Sequence, residues 1–203
     1  MPKQPTTALS QADVERLTVY AGSPRDQLIV RLLYRHGLRV SELVALRWPS
    51  VDFKTRTLTV PRQGGGTVTR HTIQPDVLAA LVDGQAVAAA LERGVAHGAK
   101  TGRRITPMTG HLFNVTRRRV QQIIADAGHR AGFAGTIGPH DLREACKSAL
   151  EAQGWGPRLI QEYLGLRSIQ SAVPRAARAT LPGTTILAAF ADTVKRMATT
   201  AKD

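Results

Sequence analysis

Between residues 50 and 73 the apolar period of this chain changes. On either side, apolar residues recur three and four apart, as Leu28, Ile29, Leu32 and Leu33 do, the spacing that lets a helix bury one face. Inside the window, residues 50–53, 57–60 and 67–73 are short, Thr- and Val-rich stretches parted by turn residues, with Gly64, Gly65 and Gly66 at a hairpin tip. A small three-stranded antiparallel sheet set into a helical chain is expected. The fold class is therefore α+β, mostly helical, built around one core.

Cap chemistry sets the helix boundaries. Ser10 with Asp13 forms a capping box that starts a helix through about Tyr20. Ser23, Pro24 and Asp26 open a second, which Gly37 stops. Residues 41–46 make a short helix with Leu43 and Leu46 inward, and Pro75 starts another through Leu78 and Leu81 to Leu91. A basic helix is expected from about Thr116 to Ala127, one opened by Pro139, one opened by Pro157 through Tyr163, and shorter ones over 168–179 and 184–197. Residues 94–110 read as an exposed loop and residues 1–9 as a flexible lead. Residues 10–203 are left as a single domain, with no separate helical domain in front.

The net charge is +13 and the 28 basic residues are mostly Arg, whose guanidinium fork matches phosphate oxygens. Double-stranded DNA is the expected partner; RNA or acidic protein is the alternative, and a generally Arg-rich composition is the plainest reading. Aromatic residues, at 4 %, are too few for recognition by base stacking. Cys146, the single cysteine, excludes an internal disulfide, suits a reducing cytosol and reads as a small buried residue. No run approaches the ~20 apolar residues of a membrane span. The N-terminal residues have no apolar signal core, so no membrane and a cytoplasmic location are expected.

Three blocks carry chemistry. Gly37 to Leu43 supplies Arg39 just after a helix stop, with Glu42 placed to steady a guanidinium. His140 and Arg143, three apart, share one helix face and can converge on one anion. Arg158 to Gly165 follows. In this order the blocks resemble the catalytic domain of the tyrosine recombinases (phage integrases), and in particular the short invertases that flip fimbrial promoters. The resemblance spans residues 10–178. It implies the fold of that domain, no cofactor and no metal. It implies two arginines, here Arg39 and Arg143, holding the scissile phosphate with His140 beside them. A hairpin lysine and a second histidine position would move protons, and a tyrosine would attack phosphorus.

The sequence departs from that pattern in three places. Leu166 stands where the family has histidine, and Arg175 where it has the nucleophilic tyrosine; no tyrosine follows Tyr163. The hairpin reads Arg62-Gln63-Gly64-Gly65-Gly66-Thr67, without a lysine, and Lys54 lies in an earlier turn. Arginine stays protonated and cannot attack phosphorus. The expectation is a chain that keeps the Arg39, His140 and Arg143 pocket and binds DNA without cutting it, as a regulator of transcription or of a mobile element. An active recombinase using a displaced Tyr163 or a partner's tyrosine, and a nonspecific polyanion binder, are the alternatives. Expected DNA contacts are Arg62, Lys100, Arg103, Arg104, Arg117, Arg118, Arg119, Gln121, Arg167 and Arg175, the last alternatively a solvated residue beside Arg178. Ile186, Leu187, Phe190 and Val194 form an apolar stripe that packs on its own core or supports a homo-oligomer.

Overall fold

The computed structural model describes residues 9–62, 68–84 and 110–166. Helix α1 spans Gln11–Val19, α2 Pro24–Arg35 and α3 Val40–Ala45. A single 3-10 turn, Trp48–Ser50, leads into strands β1 (Val51–Asp52), β2 (Thr57–Val60) and β3 (Thr69–Thr72). Helix α4 runs over residues 75–84, followed by α5 (Arg117–Arg130), α6 (Pro139–Ala152) and α7 (Pro157–Leu164).

Each helix begins where a side chain or an N-terminal proline relieves its unpaired amides. Ser10 Oγ accepts from the Asp13 amide at 3.2 Å while the Asp13 carboxylate accepts from the Ser10 amide at 3.1 Å. Ser23 and Thr116 cap α2 and α5 by accepting from the Asp26 and Arg119 amides at 3.2 Å, and Pro139 and Pro157 occupy the first turns of α6 and α7. Helix α2 is the central element. It packs against α1, α3, α5 and α6, and Leu28, Ile29, Val30, Leu32 and Leu33 are all buried. Fully burying each such side chain contributes about 1.5–3 kcal/mol before conformational entropy is counted.

The sheet has order β1-β2-β3 and is antiparallel throughout, with Leu58 facing Val51 on one side and His71 on the other. Leu58 and Val60 point into the core with no exposure. Two strands are shorter than their composition suggests: β1 keeps two residues of the four expected, because Ser50 belongs to the 3-10 turn and Phe53 to the turn that follows, and β3 keeps four of the described residues 68–73. Helix α5 runs three residues past the expected end at Ala127. Gly128, which looks like a stop, sits inside the helix because a Cβ there would lie 3.1 Å from Ile137 Cγ1. The hairpin tip, the part of the helix expected beyond residue 84, residues 94–109 of the expected loop, the N-terminal lead before Leu9, and the helices expected after residue 167 lie outside the described residues. Among the described residues no helix is long and apolar enough to cross a membrane.

Candidate functional site

Where α2 ends, Gly37 adopts φ +55 and turns the chain so that Arg39 precedes α3 and Glu42 lies one turn inside it. Glu42 is wholly buried and is the hub of the site. Its Oε1 accepts from Arg39 Nη1 at 2.8 Å, and its Oε2 accepts from Arg62 Nη1 at 2.8 Å and from the Arg39 amide at 2.9 Å. Arg143 Nη1, from α6, stands 4.0 Å from the same Oε2. Three guanidinium charges against one carboxylate leave this cluster at a net +2.

The remaining guanidinium hydrogens meet the end of α7. Arg62 Nη2 donates to the Tyr163 carbonyl, Arg143 Nη2 to the Leu164 carbonyl at 2.6 Å, and Arg39 Nη2 to the Gly165 carbonyl at 3.1 Å. Arg143 Nη1 also donates to the Gly37 carbonyl, tying the α2 turn to α6. Three consecutive helix-terminal carbonyls thus each receive one arginine. Carbonyls left without an intrahelical donor, at the negative end of a helix dipole, are natural partners for cations.

Burial drives the titration of this region. It lowers Arg143 to about 10, with Arg39 adding to the effect, and lowers Arg62, against which Glu42 acts; both stay charged at neutral pH. Burial holds His36 at about 4 and His71 at about 3, so both rings are neutral. Because Arg62 can only donate, His71 Nε2, at 3.0 Å from Arg62 Nη2, accepts, and the ring proton sits on Nδ1. Thr69 Oγ1 accepts from Arg62 Nε at 2.9 Å. Burial raises Tyr163, whose hydroxyl donates to the Arg35 carbonyl at 2.9 Å while its ring lies against His71 and Trp155.

The structure brings Arg39 and Arg143 together through Glu42. His140 is not part of this cluster: its side chain is 77 % exposed and its Nε2 lies 3.9 Å from Glu144 on the next turn of α6. A spacing of three puts His140 and Arg143 on neighbouring azimuths, but His140 sits in the first turn at the surface while Arg143 points under α7. Arg62 also differs from expectation. Its side chain has no exposure, because Glu42, Thr69, His71 and the Tyr163 carbonyl surround it, so as placed it contacts no external ligand. Arg117, Arg118, Arg119 and Gln121 are exposed on α5. Leu166 packs partly buried against the core. Lys100, Arg103, Arg104, Arg167 and Arg175 lie outside the described residues.

Sequence reasoning missed the roles of Arg62, His71 and Tyr163 in enclosing the site. The signal available was alternation: His71 falls on the same face of β3 as Thr69 and lies opposite buried Leu58. Cys146 is buried, raised to about 12 by desolvation, and packs where a Cβ on Gly37 would meet its Sγ at 3.2 Å. Among the described residues no group of His, Cys, Asp and Glu could hold a metal ion.

Comparison with known proteins places this architecture in a defined class. The fold matches the crystal structure of XerA recombinase with a TM-score of 0.68 at 22 % identity, covering 95 % of this chain and 66 % of that one. It also matches the Tn1549 transposon integrase, solved in complex with circular intermediate DNA, with a TM-score of 0.59 at 18 % identity, over 88 % of this chain and 67 % of that one. Residues 7–175 match the phage integrase family, and the chain belongs to that family, the tyrosine recombinases. Among named relatives, the type 1 fimbriae regulatory protein FimE of Escherichia coli K12 is 33 % identical over 163 residues, covering 80 % of this chain and 79 % of FimE. Tyrosine recombinase XerA of Pyrococcus furiosus is 31 % identical over 182 residues, 84 % of this chain. The chain spans only 57 % of that XerA and about two thirds of the solved XerA chain.

Proposed function

We propose that this protein binds duplex DNA through a phosphodiester pocket built on Arg39 and Arg143 and does not cleave it. The observation that carries the reading is the convergence of those two arginines, from elements over a hundred residues apart in sequence, on one buried carboxylate. Such a carboxylate fixes the guanidinium planes, and a fixed fork is what bidentate phosphate binding needs. Arg39, with 35 % of its side chain exposed, is the member an external phosphate meets first. His140 stands exposed at the start of the same helix as Arg143, free to contact the sugar–phosphate chain. Arg117, Arg118 and Arg119 extend the basic surface along α5 and would contact backbone phosphates without reading sequence.

Absence of cleavage follows from the tyrosines. The chain has three. Tyr163 is fixed to the Arg35 carbonyl with its hydroxyl held in the protonated form, Tyr34 is buried in α2, and Tyr20 caps the end of α1. Arg175 stands where the family pattern expects the nucleophile. Relatives that carry the name of fimbrial regulatory proteins favour a regulatory role, of transcription or of a mobile element.

The test pairs a gel shift with a trapping assay. Duplex DNA should shift in a salt-sensitive manner, and nicked suicide duplexes should yield no protein–DNA adduct. Arg39→Ala should weaken binding about tenfold or more and reduce the salt slope by about one, while Arg39→Lys recovers the slope but only part of the affinity. A covalent adduct refutes the reading.

A further inference from the structure

The three arginines of the site are already engaged by an internal ligand. Tyr163, Leu164 and Gly165, the last residues of α7 and its cap, offer three successive carbonyls to Arg62, Arg143 and Arg39 respectively. A helix C-terminus carries about half a negative charge, so it partly offsets a cluster whose net charge is +2. Arg143 and Arg62 retain 9 % and 0 % side-chain exposure beneath it. A phosphodiester brings a full negative charge and two acceptor oxygens, and it must compete for Arg143 with the Leu164 carbonyl on Nη2 and the Gly37 carbonyl on Nη1.

We infer that the C-terminal turn of α7 is a built-in stand-in for phosphate, and that DNA binding at this pocket displaces it. The inference rests on the phosphodiester reading above and adds its regulation: affinity is set by how firmly α7 is held down. The contacts that hold it are specific. Ile160 and Leu164 are buried, the Tyr163 ring is 4.1 Å from the His71 ring, and the Tyr163 hydroxyl donates to the Arg35 carbonyl. Gly165, at φ +60 in the left-handed region, closes the turn, with its own amide bonded to the Glu162 carbonyl and that of Leu166 to the Gln161 carbonyl. Binding therefore draws on a population in which this turn is released, and the apparent dissociation constant scales inversely with that population.

Hydrogen exchange on the intact protein, alone and saturated with a short duplex, reads the turn directly. Peptides spanning residues 160–166 should exchange faster with DNA bound, while peptides from the interior of α6 stay unchanged or slow. Saturation is verified separately by gel shift. Bound DNA with residues 160–166 equally or better protected overturns the inference and leaves the DNA-binding reading standing; no shift with any duplex overturns both. Tyr163→Phe supplies a second measurement, because it removes one buried hydrogen bond from the closed turn without touching an arginine. Affinity for the duplex should rise by about two- to tenfold with an unchanged salt slope. An affinity equal to or below that of the parent protein refutes the coupling.

Discussion

Replacing Glu42 by Gln keeps the size of the side chain and one acceptor oxygen but removes the negative charge at the centre of the arginine cluster. The structure sets the size of the effect. At about 4 Å between charge centres and an effective dielectric near 20, each guanidinium–carboxylate pair is worth about 4 kcal/mol of gross attraction. Two arginines are in direct contact with Glu42 and a third stands 4.0 Å away. The variant keeps part of the hydrogen bonding, and Arg39 can turn toward water because its side chain is 35 % exposed. Arg62 and Arg143 have no such escape. The net loss should be that of breaking a buried pair, about 3–5 kcal/mol. In a chain of this size that lowers the melting temperature by roughly 6–20 °C. Thermal and urea unfolding followed by circular dichroism measure it. Glu162→Gln, which breaks the exposed pair with Arg158 at 3.3 Å, is the control and should barely move the transition. A Glu42→Gln melt within about 2 °C of the parent protein would show that the carboxylate is not the counter-charge on which the site is built.

Acid should destabilise the fold well before its carboxylates titrate. His36 is held at about 4 and His71 at about 3, both below the ordinary 6.5, so the unfolded chain binds more protons and stability falls as pH drops through 6.5, levelling near the folded values. For His36 alone the loss between pH 7 and pH 5 is about 2 kcal/mol, and His36→Phe should flatten that part of the profile; urea midpoints unchanged between pH 7 and 5 would refute it. Gly37→Ala should cost about 2–4 kcal/mol by the same measurement, since φ is +55 and the new Cβ would collide with Leu164 Cδ2. A loss under about 0.5 kcal/mol would mean the turn relaxes freely.

Much of the fold was legible because its determinants are local. Ser10, Ser23, Thr116, Pro139 and Pro157 each satisfy or forgo an amide within three residues, and the helices begin beside them. Errors arose where the deciding partner is distant in sequence. Gly128 reads as a helix end until Ile137 is brought against it, and residues 67–73 read as one strand although β2 offers pairing to only four of them. The site divides the same way. Arg39 and Glu42 lie three apart, and a local pair of opposite charge can be read from sequence. That Arg62 lies beneath the surface could not be read, because its burial depends on Glu42, on Thr69 and His71 of β3, and on the Tyr163 carbonyl arriving from three separate stretches of chain.

That division bears on what the arginines mean in a chain for which we propose Arg175 at the nucleophile position. Arg39 and Arg143 both bind the end of α7, Arg143 also binds the turn after α2, and with Arg62 they neutralise the buried Glu42. Loss of either arginine would remove one of the three cations around that carboxylate and one of the contacts that hold the end of α7, a folding cost independent of any DNA chemistry. Folding therefore gives the pocket a reason to persist whether or not DNA is cut, and its presence is evidence for the fold before it is evidence for catalysis. What separates the two is a group on which folding places no such demand. His140, exposed and paired only weakly with Glu144, is that group: the fold does not need it, so any effect of His140→Ala beyond a small change in stability reports contact with the bound nucleic acid.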